Sequence, residues 1–425
     1  MTVDFALRLA SAAARVLAPN GGSVLIGKDT RLSGYMFESA LEAGFVAAGV
    51  NVLLIGPLPT PGIAYMTRRF GCDFGVVISA SHNLYEDNGI KFFDAEGGKL
   101  SDELEERIEA ELDNPPLTRH SRALGRASRV DESRSQYQQF CASTLPTGVD
   151  LSGLKIVVDC ANGAGYKVAP RTLADLGADI VPIGCSPNGR NINDGCGSTA
   201  PQLLQLTVPG VRADVGIALD GDGDRLVMVD HFGRALDGDQ LLYIMATARQ
   251  AQGALRGPVV GTVMSNLGLE LALRERGIEF RRAQVGDRYV LALLRESGGE
   301  LGGETSGHIL TLDKTTTGDA LIAALQVLAV MRQTGRPLAE LAASMPKFPQ
   351  VMVNVRVARR TDPMQISDIA AGVERIGARL GDEGRVVLRA SGTEPVIRVM
   401  VECPDGGLAK SCANELAELV RRAIA

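Results

Sequence analysis

A short apolar strand followed by a helical period is the unit from which this chain is built, and the pattern occurs in three rough copies. Val24–Gly27 and Asn51–Ile55 read as strands and Ser33–Ala48 and Pro61–Phe70 as helices. Phe74–Ser79 is a third strand, and it runs straight into a polar loop. The pattern begins again at Lys155–Asp159, Asp179–Ile183 and Ala213–Leu219, and once more at Pro258–Val263, Glu279–Ala283 and Glu300–Gly303. Strands alternating with helices demand a mostly parallel sheet covered on both faces. Each copy delivers a chemically unusual loop after its last strand, the place where open α/β sheets hold ligands. A charged helix, Ser101–Asp113, is followed by a polar, linker-like stretch around Pro115 and Pro116. The last segment differs: Val351–Val357, Arg385–Arg389 and Val396–Glu402 read as strands, with helices near 364–380 and 407–424. The expected architecture is three related α/β domains with mixed or parallel sheets, over 1–150, 151–254 and 255–350, plus a smaller α+β domain over 351–425.

Composition narrows the function. A chain of 425 residues exceeds one ordinary core, so two to four domains are expected. With 44 basic and 50 acidic side chains the net charge is −6, which disfavours a dedicated nucleic-acid binder. The 49 glycines and only 4% aromatics suit loops wrapped round a small polar ligand better than a base-stacking platform. No signal peptide opens the sequence, and the apolar run Ala320–Met331 is too short to span a bilayer. No membrane association is therefore expected. The seven cysteines are odd in number and contain no C-x-x-C, so they read as free thiols in a reducing cytoplasm.

Four loops carry chemistry. Ser79–Asn83, continuing to Asp87–Lys91, sets Ser81 beside His82, with Lys91 further on. A hydroxyl needs a base or cation beside it to act as a nucleophile. On its own the loop reads equally as a turn. Asp220, Asp222 and Asp224 alternate with glycines and end at Arg225. Three such carboxylates repel one another unless a cation neutralises them. The glycines let the chain curl and aim them inward. An EF-hand is excluded because its sixth position would be Arg225 and its twelfth His231. Oxygen ligands point to a hard divalent cation, Mg²⁺. Gly302–His308 offers Glu304, Thr305, Ser306 and His308, groups that match sugar hydroxyls. Arg389–Pro395, with Arg398 beyond it, combines hydroxyls, free backbone N–H groups near Gly392 and guanidinium groups into an anion cradle suited to a phosphate. A nucleophile, a cation site, a hydroxyl reader and a phosphate cradle together describe phosphoryl transfer on a sugar phosphate.

These residues resemble the α-D-phosphohexomutases. The resemblance runs through nearly the whole chain: Gly27–Gly34, Ser79–Asn83, Asn191–Asp194, Asp220–Arg225, Val285–Tyr289, Gly302–Glu304 with Ser306–His308, and Arg389–Pro395. It implies four domains around a central cleft and a phosphoryl group carried on Ser81. It also implies one Mg²⁺ held by Asp220, Asp222, Asp224 and an oxygen on Ser81. Ser81 would give its phosphoryl to glucosamine 6-phosphate, and the resulting 1,6-bisphosphate, also an activator, would turn round and return the other one. The product is glucosamine 1-phosphate, a precursor of cell-wall amino sugars. Arg225 and Lys28 are expected as cationic partners, Lys91 and His308 as proton-transfer groups, and His82 as a phosphoryl-positioning group. Arg288, Glu304 and Ser306 would contact the sugar, and Arg389, Ser391, Gly392, Thr393 and Arg398 the phosphate that is not reacting. A homodimer is compatible with the family.

Three departures from the family pattern stand out. Members usually begin with a strand and a Gly-Thr-Asp-Gly-Ile-Arg-Gly segment, which this sequence does not contain, so weak turnover is the expectation. Leu84 stands where proline is usual, and Thr305 replaces a commoner glutamine. Rival readings are a phosphomannomutase or phosphoglucomutase, a non-catalytic sugar-phosphate binder suggested by the absent segment, and an Mg²⁺ phosphatase.

Overall fold

The computed structural model describes residues 1–357, 362–390 and 395–424. The chain forms two compact units: 1–256 with 300–342, and 257–299 with 343–425. The segment 255–350, expected as one domain, contributes residues to both.

In the first unit, one sheet runs β4-β3-β1-β2-β5. Its strands are β1 (Gly22–Lys28), β2 (Val50–Pro57), β3 (Phe74–Ile78), β4 (Ile90–Asp94) and β5 (Ala127–Arg129). β1 is central and pairs in parallel with β2 and β3, and its Val24–Lys28 stretch is continuously buried. An unbroken apolar run is what a strand covered on both faces requires. β4 returns antiparallel along β3, so the polar loop between them is a long hairpin connection that projects Ser81 at the strand ends. The helix Val3–Leu17 starts at Thr2, whose hydroxyl accepts the Phe5 N–H. It packs on the helix Ser33–Ala47 at Gly44, where a Cβ would lie 2.7 Å from that of Ala10.

The second sheet runs β10-β9-β8-β6-β7. It comprises β6 (Lys155–Asp159), β7 (Asp179–Ile183), β8 (Val215–Leu219), β9 (Leu226–Asp230) and β10 (Ala235–Leu236). β6 lies parallel to β7 and β8, and β9 turns back antiparallel on β8. The acidic loop is thus the β8–β9 connection, matching the β3–β4 connection of the first sheet.

β11 (Val259–Thr262) and β12 (Phe280–Ala283) form a parallel pair in the second unit. β13 (Leu301–Gly303) and β14 (Ile309–Thr311) form an antiparallel pair in the first unit, joined by the loop of Glu304 and Ser306. The helix Ala320–Thr334 is almost wholly buried; Asp319 caps its start and left-handed Gly335 ends it. The second unit also holds an antiparallel sheet ordered β15-β17-β16, from β15 (Gln350–Arg356), β16 (Arg385–Ala390) and β17 (Val396–Glu402). The helices Ser367–Leu380 and Gly406–Ile424 pack an apolar core with it. Among the described residues, no helix is long and apolar enough to cross a membrane.

The polar stretch expected as a linker carries β5 and the helix Ser133–Ser143. That helix is polar in sequence but is fixed by Tyr137 and Cys141, both fully buried.

Candidate active site

Ser81 occupies the left-handed region at φ 51°, a strained conformation for a residue with a side chain. The surrounding groups hold it there. Its N–H donates to Ser79 Oγ at 3.0 Å, and its carbonyl accepts from Asn193 Nδ2 at 2.9 Å. Arg31, buried and paired with Asp29, donates through Nη2 to the Asn83 carbonyl at 2.6 Å, and Asn193 reaches the same oxygen at 2.8 Å. Neither Arg31 nor Asn193 was assigned a role from sequence. Both lie inside motifs that carry the family resemblance, but a side chain that holds a loop by its carbonyls leaves no signature of its own.

The Ser81 hydroxyl donates to Asp220 Oδ2 at 3.0 Å. Oxygens of Asp220, Asp222 and Asp224 all lie within 4.8 Å of one another, and all three residues are buried. The loop is shaped from several sides. The Asp224 and Arg225 N–H groups donate to Asp220 Oδ1, each at 3.1 Å. Thr60, at the start of the helix Thr60–Arg69, donates its hydroxyl to Asp222 Oδ2 at 2.8 Å and its N–H to the Asp222 carbonyl at 2.8 Å. Gly223 sits at φ 73° against Pro59.

The electrostatics are those of a crowded anion cluster only partly offset by neighbouring cations. Burial, reinforced by Asp224 and Asp222, pushes Asp220 well above the usual carboxylate range. Burial would raise Asp224 too, but His308, Lys91 and Arg225 together pull it below that range. Asp222 Oδ1 and Asp224 Oδ1 are buried without a hydrogen-bond partner. Buried carboxylate oxygens so arranged are what a hard divalent cation takes as ligands, so the donor set fits magnesium.

The remaining expected residues fall into three groups. His82 and Lys91 are at the site. His82 Nδ1 is 3.4 Å from Ser81 Oγ, and burial, with Arg225 next, lowers its pKa, favouring the neutral ring. Lys91 Nζ is 2.7 Å from Asp222 Oδ2. Burial works against its charge, but Asp222 and Asp224 outweigh that and hold it protonated. His308 lies behind the carboxylates, nearly fully buried, with Nδ1 3.5 Å from Asp224 Oδ2. Arg225 pairs backbone-to-backbone with His308, which joins the acidic loop to the sugar-reading loop. In that second loop Thr305, not Glu304, supplies the anchor: its hydroxyl donates to Asp239 Oδ2 at 2.8 Å, while Ser306 is exposed.

Lys28 is engaged elsewhere. It is buried, its Nζ 2.5 Å from Glu38 Oε2 and 3.7 Å from the Tyr35 ring centroid. The cation that touches the Ser81 loop is Arg31.

In the second unit, Arg389 and Arg398 are direct cross-strand partners on β16 and β17. Burial and the neighbouring Arg398 charge lower the Arg389 pKa. Paired guanidinium groups on one strand position repel, and an anion between them relieves that. Ser391, Gly392 and Thr393 lie outside the described residues. Arg288 is in the first turn of the helix Asp287–Ser297, and its N–H donates to Asp287 Oδ1.

A serine hydroxyl bonded into a buried carboxylate triad at the ends of two α/β sheets is an arrangement suited to phosphoryl transfer beside a divalent cation. Comparisons with known proteins specify the family. Models of phosphoglucomutase/phosphomannomutase match in order: α/β/α domain I over residues 1–118, domain II over 136–233, domain III over 237–348 and the C-terminal domain over 352–419. A phosphoglucosamine mutase of Glaesserella parasuis is 56% identical over 99% of this chain and 95% of its own length. One of Pasteurella multocida is 56% identical with the same coverage. Among solved structures, a phosphoglucomutase/phosphomannomutase family protein from Burkholderia thailandensis superposes with a TM-score of 0.82 at 24% identity, covering 100% of this chain and 94% of that one. The chain belongs to the phosphoglucomutase/phosphomannomutase family.

Proposed function

We propose that the protein is a cytoplasmic phosphoglucosamine mutase, interconverting glucosamine 6-phosphate and glucosamine 1-phosphate through a phosphorylated Ser81 and a 1,6-bisphosphate. The observation that carries this reading is the 3.0 Å hydrogen bond from Ser81 Oγ to Asp220 within the buried triad. The mutase names of relatives 56% identical along almost the whole chain support the choice of substrate.

Asp220, Asp222 and Asp224 would hold magnesium together with an oxygen on Ser81. When bound, the ion supplies positive charge against the transferring phosphoryl group. The chain's own residues do the rest. Arg31 and Asn193 fix the Ser81 loop by its carbonyls, so Oγ keeps one direction through both half-reactions. Lys91, held charged, and Arg225 add cationic charge beside the serine. A phosphoserine brings about two negative charges, so these cations matter most in the loaded enzyme. Neutral His82 can accept a proton at Ser81 Oγ or donate one to a phosphoryl oxygen. His308 fixes Asp224, and Glu304 and Ser306 read ring hydroxyls from a loop pinned by Thr305. Arg389 and Arg398 bind phosphate, and Arg288 contacts the sugar.

Intact-mass measurement tests this. A form heavier by about 80 Da, mapped to Ser81 and discharged by glucosamine 6-phosphate, is expected. Side-by-side assays with the 6-phosphates of glucosamine, glucose and mannose should rank glucosamine first; a mannose preference would reverse the substrate assignment.

A further inference from the structure

The turn that follows β6 is the least relaxed piece of backbone near the site, and three cysteines surround it. Ala161 and Asn162 are both left-handed, at φ 53° and 49°. Asp159, fully buried, staples the turn by accepting the Ala161 N–H at 2.9 Å and the Gly197 N–H at 2.8 Å. Asn162 is a hub. Its N–H donates to the Gly184 carbonyl, its Oδ1 accepts from Ser186 N, and its Nδ2 faces Cys196 Sγ at 3.7 Å.

Two of the thiols address each other across β6 and β7. Cys160 directly follows β6 and Cys185 lies just beyond β7, in a register that pairs Asp159 with Ile183. The Ile183 carbonyl receives the Cys160 N–H at 3.2 Å and the Cys185 thiol at 3.1 Å, which brings both residues to one point. Cys160 is fully buried and Cys185 only partly so. Neighbouring Cys160 lowers the Cys185 pKa, while Cys185 and burial raise that of Cys160. One thiol is therefore the more ionised and more accessible, and the other waits behind it.

This turn touches both halves of the catalytic apparatus. Ala164 N–H donates to the Gly221 carbonyl at 2.7 Å, inside the acidic loop. The Ala161 carbonyl accepts from Asn193 N–H at 2.9 Å, and Asn193 in turn holds the Ser81 and Asn83 carbonyls. Thr30 Oγ1 donates to the Asn162 carbonyl at 2.5 Å.

We propose that Cys160 and Cys185 are a redox modification site, a dithiol that closes to a disulfide under hydroperoxide and switches the enzyme off. The Cys185 thiolate attacks the peroxide oxygen, breaking the O–O bond, to give a sulfenic acid and water. The Cys160 thiol then attacks that sulfur, forming the S–S bond and releasing a second water. Two thiols lose two electrons and two protons, and one hydroperoxide takes them up. Closure draws the sulfurs to about 2.05 Å. The Cys160–Ala164 turn has to follow, and Gly221 and Asn193 move with it. Displacements of this order in supports of a reacting group cost roughly 10- to 100-fold in rate.

The test uses the full chain, reduced and then treated with hydrogen peroxide. Peptide mapping should find Cys160 and Cys185 linked, at about 2 Da below the dithiol. Mutase rate should fall roughly 10- to 100-fold and return with dithiothreitol. Cys185→Ser should keep its basal rate and resist peroxide. Cys160→Ser should instead accumulate a dimedone-reactive sulfenic acid at Cys185. Absence of the cross-link, a cross-link that leaves the rate untouched, or equal peroxide loss in Cys185→Ser would each overturn the proposal. The switch rests on the mutase reading only for its rate measurement. An inactive reduced sample would count against that reading alone, and the cross-link would still decide the modification site.

Discussion

Like charges crowd together at two places in this molecule, and the two are built differently. At the β8–β9 loop three carboxylates are buried within 4.8 Å of one another. They are held by Thr60, Lys91, His308 and the loop's own N–H groups. On β16 and β17, Arg389 and Arg398 stand opposite each other as cross-strand partners. The first cluster is fixed by side chains and backbone from several segments, so it specifies geometry. The second is set by the register of two neighbouring strands, so it specifies charge and rough position. A group that must be placed to within a fraction of an ångström belongs at the first, and a phosphate that alternates between two ends of a sugar is better served by the second.

The largest expected effects break the first cluster. Ser81→Ala removes the hydroxyl proposed to carry the phosphoryl group, and mutase rate should fall by at least about 10³-fold with the fold intact by circular dichroism. Asp222→Asn should cost roughly 10²- to 10³-fold in kcat and abolish magnesium binding by calorimetry. Arg389→Ala sharpens the contrast. A loosely fixed cradle should show as a KM rise of roughly tenfold with kcat changed far less; an equal loss in kcat would mean that the cradle, too, fixes geometry.

A separate prediction concerns a buried carboxyl outside the triad. Asp319 is fully buried, accepts from Tyr137 Oη at 2.7 Å and caps a helix, and burial raises its pKa to about 6. A raised carboxyl binds its proton more tightly folded than unfolded. Its contribution is therefore present below pH 4 and is lost as pH rises to about 6, by an amount on the order of 3 kcal/mol. The difference in Tm between wild type and Asp319→Asn should change across that window and be flat above it.

Much of the site could be read from the sequence, for a physical reason. Asp220, Asp222 and Asp224 are five residues of chain following an apolar strand, so proximity in sequence guarantees proximity in space. The position of Ser81 at a strand end was likewise local. Tertiary partners were not legible in this way. Lys28 read as a free cation because its neutralising Glu38 sits in the facing helix. Arg31 and Asn193 act through backbone carbonyls that no side-chain pattern encodes. β4 was read as loop because Ile90–Asp94 is short and flanked by polar residues, and its antiparallel pairing with β3 shows only in three dimensions. The helix Ser133–Ser143 was missed because its polar composition hides two residues, Tyr137 and Cys141, that bury completely.

One close approach has a consequence for how such a chain can drift over generations. At Gly163 any Cβ would sit 2.3 Å from the Gly221 carbonyl oxygen, backbone against backbone, with no flexible side chain to yield. Position 163 is thus closed to nineteen of the twenty amino acids for as long as the backbone at position 221 keeps its place.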